Sequence, residues 1–250
     1  MLQGGIYSGE ITEVYGYSAA GKTQFCYSFI CSVVTETIHN VLYIDTDLAF
    51  NASRIMNILK GRPHSNVTAY SLPEIMSRIK LCTVFDTFQL LNFIECITQD
   101  LDLRGQNSKY SNIGVIILDS LSCPLSLTVN KLFATADNEQ DGNRKKSLKI
   151  KSERIKRQFA VSLKTLAVRH SIAVVVVNSH VFNLGKFWQN NCNVRINIEK
   201  MIDNPGKRTI QVTQSDRQFR GCEFINTFVI RPSGLRSTFN ISHVSSKLQI

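Results

Sequence analysis

Short apolar runs alternate with longer amphipathic stretches over the first three quarters of the chain. Ile11–Tyr15, Val41–Ile44, the stretch around Leu81–Phe85, Ile113–Leu118 and Ile172–Val177 are β-branched or aliphatic nearly throughout. Such runs are expected of strands buried on both faces. Helical patterns lie between them. Lys22–Ile38 has few breakers, and Asn51 is placed to cap a helix running to about Lys60. Asp86 is placed to cap another, which carries Phe88, Leu91, Phe93, Ile94 and Ile97 at helical spacing. Ser147–His170 reads as an amphipathic helix with Leu148, Ile155, Phe159, Leu163 and Leu166 on one face. Strands of this kind separated by such helices predict a parallel sheet covered on both sides.

The last quarter changes period. Val194–Met201 and Thr209–Thr213 alternate around the turn sequence Asp203-Asn204-Pro205-Gly206, which predicts an antiparallel hairpin. Phe224–Ile230 followed by Pro232-Ser233-Gly234 predicts one more strand and a turn. The expected fold class is therefore α/β, a mainly parallel sheet flanked by helices and finished by antiparallel strands. No internal repeat or low-complexity linker interrupts it, so residues 1–250 read as one domain.

Composition changes little in this picture except at one place. Over 250 residues, 43% are apolar and 19% charged, values that exclude a disordered chain or a coiled coil. No apolar stretch approaches the length of a membrane span, and no leader pattern opens the sequence, so no membrane association is expected. Seven cysteines form no metal-ligand spacing and read as small buried thiols in a reducing compartment. The net charge of +10 points to an anionic partner. Most of it lies between Arg144 and Arg157, where eight cations face one acid, Glu153. A solvated helix face usually mixes signs, so this run favours phosphate contact, through Arg144, Lys145, Lys146, Lys149 and Lys151, or a nuclear-import signal.

Gly16-Tyr17-Ser18-Ala19-Ala20-Gly21-Lys22-Thr23 matches the phosphate-binding pattern GxxxxGK[ST], between an expected strand and an expected helix. Glycine at both ends lets the loop curl so that backbone N–H groups converge on a phosphate. The helix that follows aims its positive end at the same place. Lys22 supplies a point charge to the β- and γ-oxygens of ATP, and Thr23 offers a hydroxyl to Mg²⁺. Such a loop also needs a carboxylate at the end of a neighbouring buried strand, and Asp119 stands there. A Rossmann turn is excluded because the middle glycine is missing. A GTPase is excluded because Asn130-Lys131-Leu132-Phe133 lacks the guanine-reading aspartate. Neither a transporter-ATPase signature nor a nucleoside-monophosphate-kinase lid is found, which leaves a strand-exchange or helicase core.

Four segments carry a resemblance. Gly9–Gln24, Tyr43–Asp47 (YIDTD), Val115–Ser120 (VIILDS) and Leu163–His180 resemble the RecA-like eukaryotic recombinases. Ala52–Arg54, the stretch from Phe85 and Leu163–Ala167 resemble their D-type paralogue in particular, over roughly residues 4 to 235. The resemblance implies a RecA-like P-loop NTPase core in which Gln24 flanks the phosphate loop and Arg54 lies over the adenine. Arg54 as an ordinary exposed helix arginine remains the alternative. It implies that Asp47 takes the place of the water-orienting glutamate, one methylene shorter, and that His180 takes the place of the γ-phosphate sensor. These two departures predict slow, DNA-stimulated hydrolysis. Two loops would face DNA, about Cys123–Ser147 and about Val181–Val194. The second would offer Lys186 as a cation and Trp188, with Phe187, as stacking groups, unless those rings pack inside.

The family's helical N-terminal domain and polymerisation linker have no counterpart ahead of Ile11. The expectation is a hetero-oligomeric subunit rather than a homofilament, with the X-ray-repair-type paralogue as partner. The functional expectation is an ATP- and DNA-binding nuclear accessory factor in homologous recombination and double-strand-break repair, mitotic and meiotic, acting on single-stranded or branched DNA. A nucleotide-holding scaffold and a free-standing motor ATPase are the alternatives.

Overall fold

The apolar runs pair as a parallel array whose middle is the strand that leads into the phosphate loop. In the computed structural model, described over residues 5–62, 71–103, 109–110, 112–134, 142–217 and 225–238, nine strands form one sheet. They are β1 (Ile11–Gly16), β2 (Asn40–Asp45), β3 (Ile79–Thr83), β4 (Ile113–Asp119), β5 (Ala173–Ser179), β6 (Val194–Lys200), β7 (Lys207–Ser215), β8 (Ile225–Arg231) and β9 (Gly234–Ser237). Their order is β3-β2-β4-β5-β1-β6-β7-β8-β9. Pairing is parallel from β3 to β6 and antiparallel from β6 to β9.

Helices cover both faces. One face packs α1 (Lys22–Glu36), α2 (Ala52–Lys60) and α3 (Leu72–Ser77) against Val41, Tyr43, Val115, Ile117, Val175 and Val177. The other packs α4 (Thr87–Asp102), α5 (Ser122–Ala134), α6 (Gly142–His170) and α7 (Gly185–Asn191) against Leu42, Ile44, Ile116, Leu118, Val174 and Val176. Successive strand residues point to opposite faces, so burial on both sides demands the uninterrupted apolar runs that the sequence has.

Local chemistry sets several ends. Asn51 caps α2 by accepting from the Arg54 N–H at 2.9 Å, and Asp86 caps α4 by accepting from Phe88 and Gln89. The turn before β7 closes with the Lys207 N–H donating to the Asn204 carbonyl at 2.8 Å. Some boundaries differ from expectation. The α1 helix ends at Glu36 because Thr37 is extended, and β3 begins two residues early because Ile79 pairs with Val41 at the sheet edge. Two expected loops are largely helical. Cys123–Ser147 contains most of α5 and the start of α6, with residues 135–141 outside the described set, and Val181–Val194 contains α7. Pro124 sits in the first turn of α5, where a missing N–H costs nothing. The α3 helix was unexpected too, although Ser71 and Glu74 form a capping pair ahead of it.

Candidate nucleotide site and nucleic-acid face

The carboxyl ends of β1, β2, β4 and β5 open on one cleft of about 870 Å³, where ligands of open α/β sheets bind. Ser18, Ala19, Gly21, Lys22, Thr23 and Gln24 line one wall, and Asp47 and Asp119 another. Two glycines make the loop possible. A Cβ on Gly16 would fall 2.1 Å from the Ile198 carbonyl oxygen of β6, and Gly21 has φ +107° in the left-handed region. Ala20 is buried beneath the loop and Tyr17 stands out from it. No side chain caps the amino end of α1, whose first N–H groups face the cleft.

Lys22 Nζ donates to the carbonyls of Gly16 and Tyr17 at 2.9 and 2.8 Å, which folds its chain across the loop. Burial holds its pKa below the usual lysine range, against the opposing pull of Asp119. Thr23 Oγ1 donates to Asp119 Oδ2 at 2.8 Å, and the Tyr43 hydroxyl donates to the same oxygen at 2.6 Å. Burial raises the Asp119 pKa, the two donated hydrogen bonds lower it, and the charges of Asp47 and Asp45 raise it further. Tyr43, itself pushed up by burial, stays a neutral donor. Thr23 and Asp119 present only oxygen, the donor that Mg²⁺ takes, beside a phosphate loop that would complete its shell. The residues fit that ion.

Asp47 lies in the cleft wall, and its Oδ2 accepts from Ser120 Oγ at 3.5 Å. The loop that carries it is built on Asp45, whose buried carboxylate accepts from the N–H groups of Asp47, Ala49 and Phe50. Cys123 lies beside Asp47. Burial and a hydrogen bond to that carboxylate push its thiol up to about 12.

His180 does not join this group. Its N–H donates to the Gly16 carbonyl at 3.1 Å, but its ring stacks on Tyr15 and leans on Tyr17 at 4.6 Å, outside the cleft. Ser179 lines the cleft there instead. Arg54 also stands back. Its Nε donates to Gln24 Oε1, and its two terminal nitrogens donate to the carbonyls of Pro232 and Arg231, all at 2.7 Å. The guanidinium thus ties α2 to the β8–β9 turn and fixes Gln24, while its faces stay free of those in-plane bonds.

The expected DNA residues separate. Lys145, Lys146, Lys149, Lys151 and Lys186 are exposed, whereas the Arg144 side chain lies outside the described residues. Trp188 is corrected. It is 1% exposed and packs with Phe159, Leu163 and Leu184, so it offers no stacking face. Its neighbour Phe187 is the exposed ring, and the Arg157 guanidinium lies 5.1 Å over it, which joins the basic face of α6 to α7. Two residues were missed: Tyr43, which is buried behind the cleft and bonds Asp119, and Arg208, which lines the cleft. A hydroxyl-bearing aromatic inside an aliphatic strand was the available signal for Tyr43. Arg208 had none, since only the pairing of β7 with β6 brings it to the cleft.

A phosphate loop, a strand-end aspartate and a parallel sheet extended by antiparallel strands define a RecA-like P-loop protein. The Rad51 family model matches residues 1–123, and the chain carries a Rad51-family domain, as its resemblance to the recombinases implied. It is 28% identical over 241 residues to the DNA repair protein RAD51 homolog 4 of Bos taurus, covering 89% of this chain and 66% of the relative. It is 32% identical over 185 residues to the DNA repair protein RAD51 homolog 2 of Homo sapiens, covering 71% of this chain and 43% of the relative. The chain thus spans just under two thirds of the bovine relative's length. The crystal structure of the RadB recombinase superposes with a TM-score of 0.65 at 20% identity, covering 94% of this chain and 93% of that one, which bears out the fold.

Proposed function

We propose that this chain binds ATP with Mg²⁺ in the cleft, binds DNA along α6 and α7, and serves as a nuclear accessory factor in homologous recombination and double-strand-break repair alongside other recombinase paralogues. The observation that carries the reading is the convergence of Gly16–Thr23, Asp119 and Asp47 on one cleft, with Thr23 and Asp119 2.8 Å apart. The curated relatives are named DNA repair proteins, and the basic face of α6 supplies the phosphate contacts that such work requires.

In this reading Lys22 leaves the Gly16 and Tyr17 carbonyls for the β- and γ-oxygens of the nucleotide. The Thr23 hydroxyl would hold Mg²⁺ and Asp119 its water shell, and the ion would supply neutralisation of the phosphate charge there. Asp47 orients the attacking water and accepts its proton, with a carboxylate one methylene shorter than glutamate, so turnover is slow. The position of His180 outside the cleft favours a second reading, in which nucleotide is held without hydrolysis and the protein serves as a scaffold. Turnover with and without single-stranded DNA separates them. Slow DNA-stimulated hydrolysis, abolished by Lys22→Ala and lowered by Asp47→Asn, supports the first. Nucleotide binding with equal background rates for the parent and Asp47→Asn supports the scaffold.

A further inference from the structure

Arg208 is at the start of β7, opposite Lys200 of β6 and Phe228 of β8. Its side chain reaches across to the phosphate loop. A Cβ on Gly21 would fall 3.3 Å from both Cδ and Nε of Arg208, with Ile230 of β8 packed beside them. The guanidinium lines the nucleotide cleft. Its Nη1 donates to the Gly206 carbonyl at 3.1 Å, but its Nε is buried and has no hydrogen-bond partner. No carboxylate pairs with it among the described residues. A buried, unpaired donor on a cation is costly. Here it lies beside the amino end of α1 and Lys22, two other positive features that share the same small space. Three positive groups converge on the loop from two different parts of the sheet.

We propose that Arg208 is a phosphate-contacting residue of the nucleotide site, a second fixed cation that the antiparallel end of the sheet supplies to the α- or β-phosphate. A planar fork of donors suits a phosphate, and beyond the Nη1 bond to Gly206 both Nε and Nη2 have N–H groups left to make the contact. Bound nucleotide would then tie β7 to the phosphate loop. The position of the β6–β7 hairpin would follow nucleotide occupancy, for diphosphate and triphosphate alike.

The proposal rests on the reading of the cleft as a nucleotide site, and the test separates the two. Affinities for fluorescent ADP and ATP are measured by titration, with adenosine as competitor, for the parent, Lys22→Ala, Arg208→Ala, Arg208→Gln and Arg208→Lys. Arg208→Gln keeps the aliphatic packing if Arg208→Ala folds poorly. Arg208→Ala and Arg208→Gln are expected to weaken ADP and ATP equally, by about tenfold or more, and to leave adenosine unchanged. Arg208→Lys should lose less. Unchanged ADP affinity in a parent that binds ADP overturns the Arg208 assignment alone. An equal loss for adenosine also overturns it, placing the contact on base or ribose. A parent that binds neither nucleotide overturns the cleft reading and the Arg208 proposal with it.

Discussion

At the scale of single residues, Asp119 trades stability for a site. Burial raises its pKa above the ordinary aspartate value, and the bonds from Tyr43 and Thr23 offset this only in part. A carboxyl with a raised folded pKa favours the fold when protonated. That stability is present in acid and is lost as pH rises through the folded pKa, so at neutral pH the ionised group works against the fold. Asp119→Asn removes the charge and keeps an oxygen to accept from Tyr43 and Thr23. It should therefore raise the melting temperature of the nucleotide-free protein at pH 7.5. It should also weaken Mg²⁺-dependent nucleotide binding by about 10–100-fold, the usual loss when a partner of a metal site is removed. Thermal melts with and without ATP and Mg²⁺ measure both. A lower melting temperature without ligand would mean that the hydrogen bonds to the carboxylate outweigh its desolvation. Asp119 was legible because a strand-end acid is a positional signal. The environments of His180 and Trp188 were not, because which way a side chain turns after a strand depends on neighbours remote in sequence. Tyr15 and Tyr17 draw the His180 ring away from the cleft, and Phe159 and Leu163 of α6 enclose Trp188.

At the scale of elements, α6 carries two different faces along one helix. Leu148, Phe159, Leu163 and Leu166 are buried, as their spacing predicted, the last three in the core against the sheet, while Lys145, Lys146, Lys149 and Lys151 stand in solvent. The helix is legible because its period is strong. The α5 and α7 helices were hidden because the family resemblance suggested DNA loops there, and because seven-residue α7 has too few turns to show a period. The residues expected in those loops thus belong largely to helices, and the Arg157–Phe187 contact joins α6 to α7. If the basic face of α6 binds phosphates, replacing Lys145, Lys146 and Lys149 by alanine should flatten the slope of log K against log[salt]. Each lost cation should remove up to about 0.9 on duplex and 0.7 on single strands. Fluorescence anisotropy over a salt series reads this directly. These side chains are exposed, so the melting temperature should hold. An unchanged slope, with nuclear import of the variant lost instead, would assign the basic run to transport.

At the scale of the whole molecule, the sheet is asymmetric, and its ends face different tasks. The antiparallel end folds back over the phosphate loop through Gly16, Gly21 and Arg208. The parallel end finishes at β3, which pairs with β2 and carries no further strand among the described residues. Leu81 on β3 and Phe85 and Phe88 just beyond it are half exposed. An unpaired edge with apolar side chains beside it is a template for strand addition, in which main-chain bonds give affinity and side-chain contacts give specificity. Under the proposed assembly with other recombinase paralogues, this edge is where a partner's extended segment would add. Leu81→Glu with Phe88→Glu should then weaken the complex by about tenfold or more in Kd. Nucleotide affinity should not change, because the cleft lies at the strand ends and neither residue lines it. The measurement is co-purification and titration of the double variant against a paralogue that binds the parent. Intact binding would remove β3 as the docking edge. Loss of nucleotide binding together with the complex would mean that the substitutions had disturbed the fold.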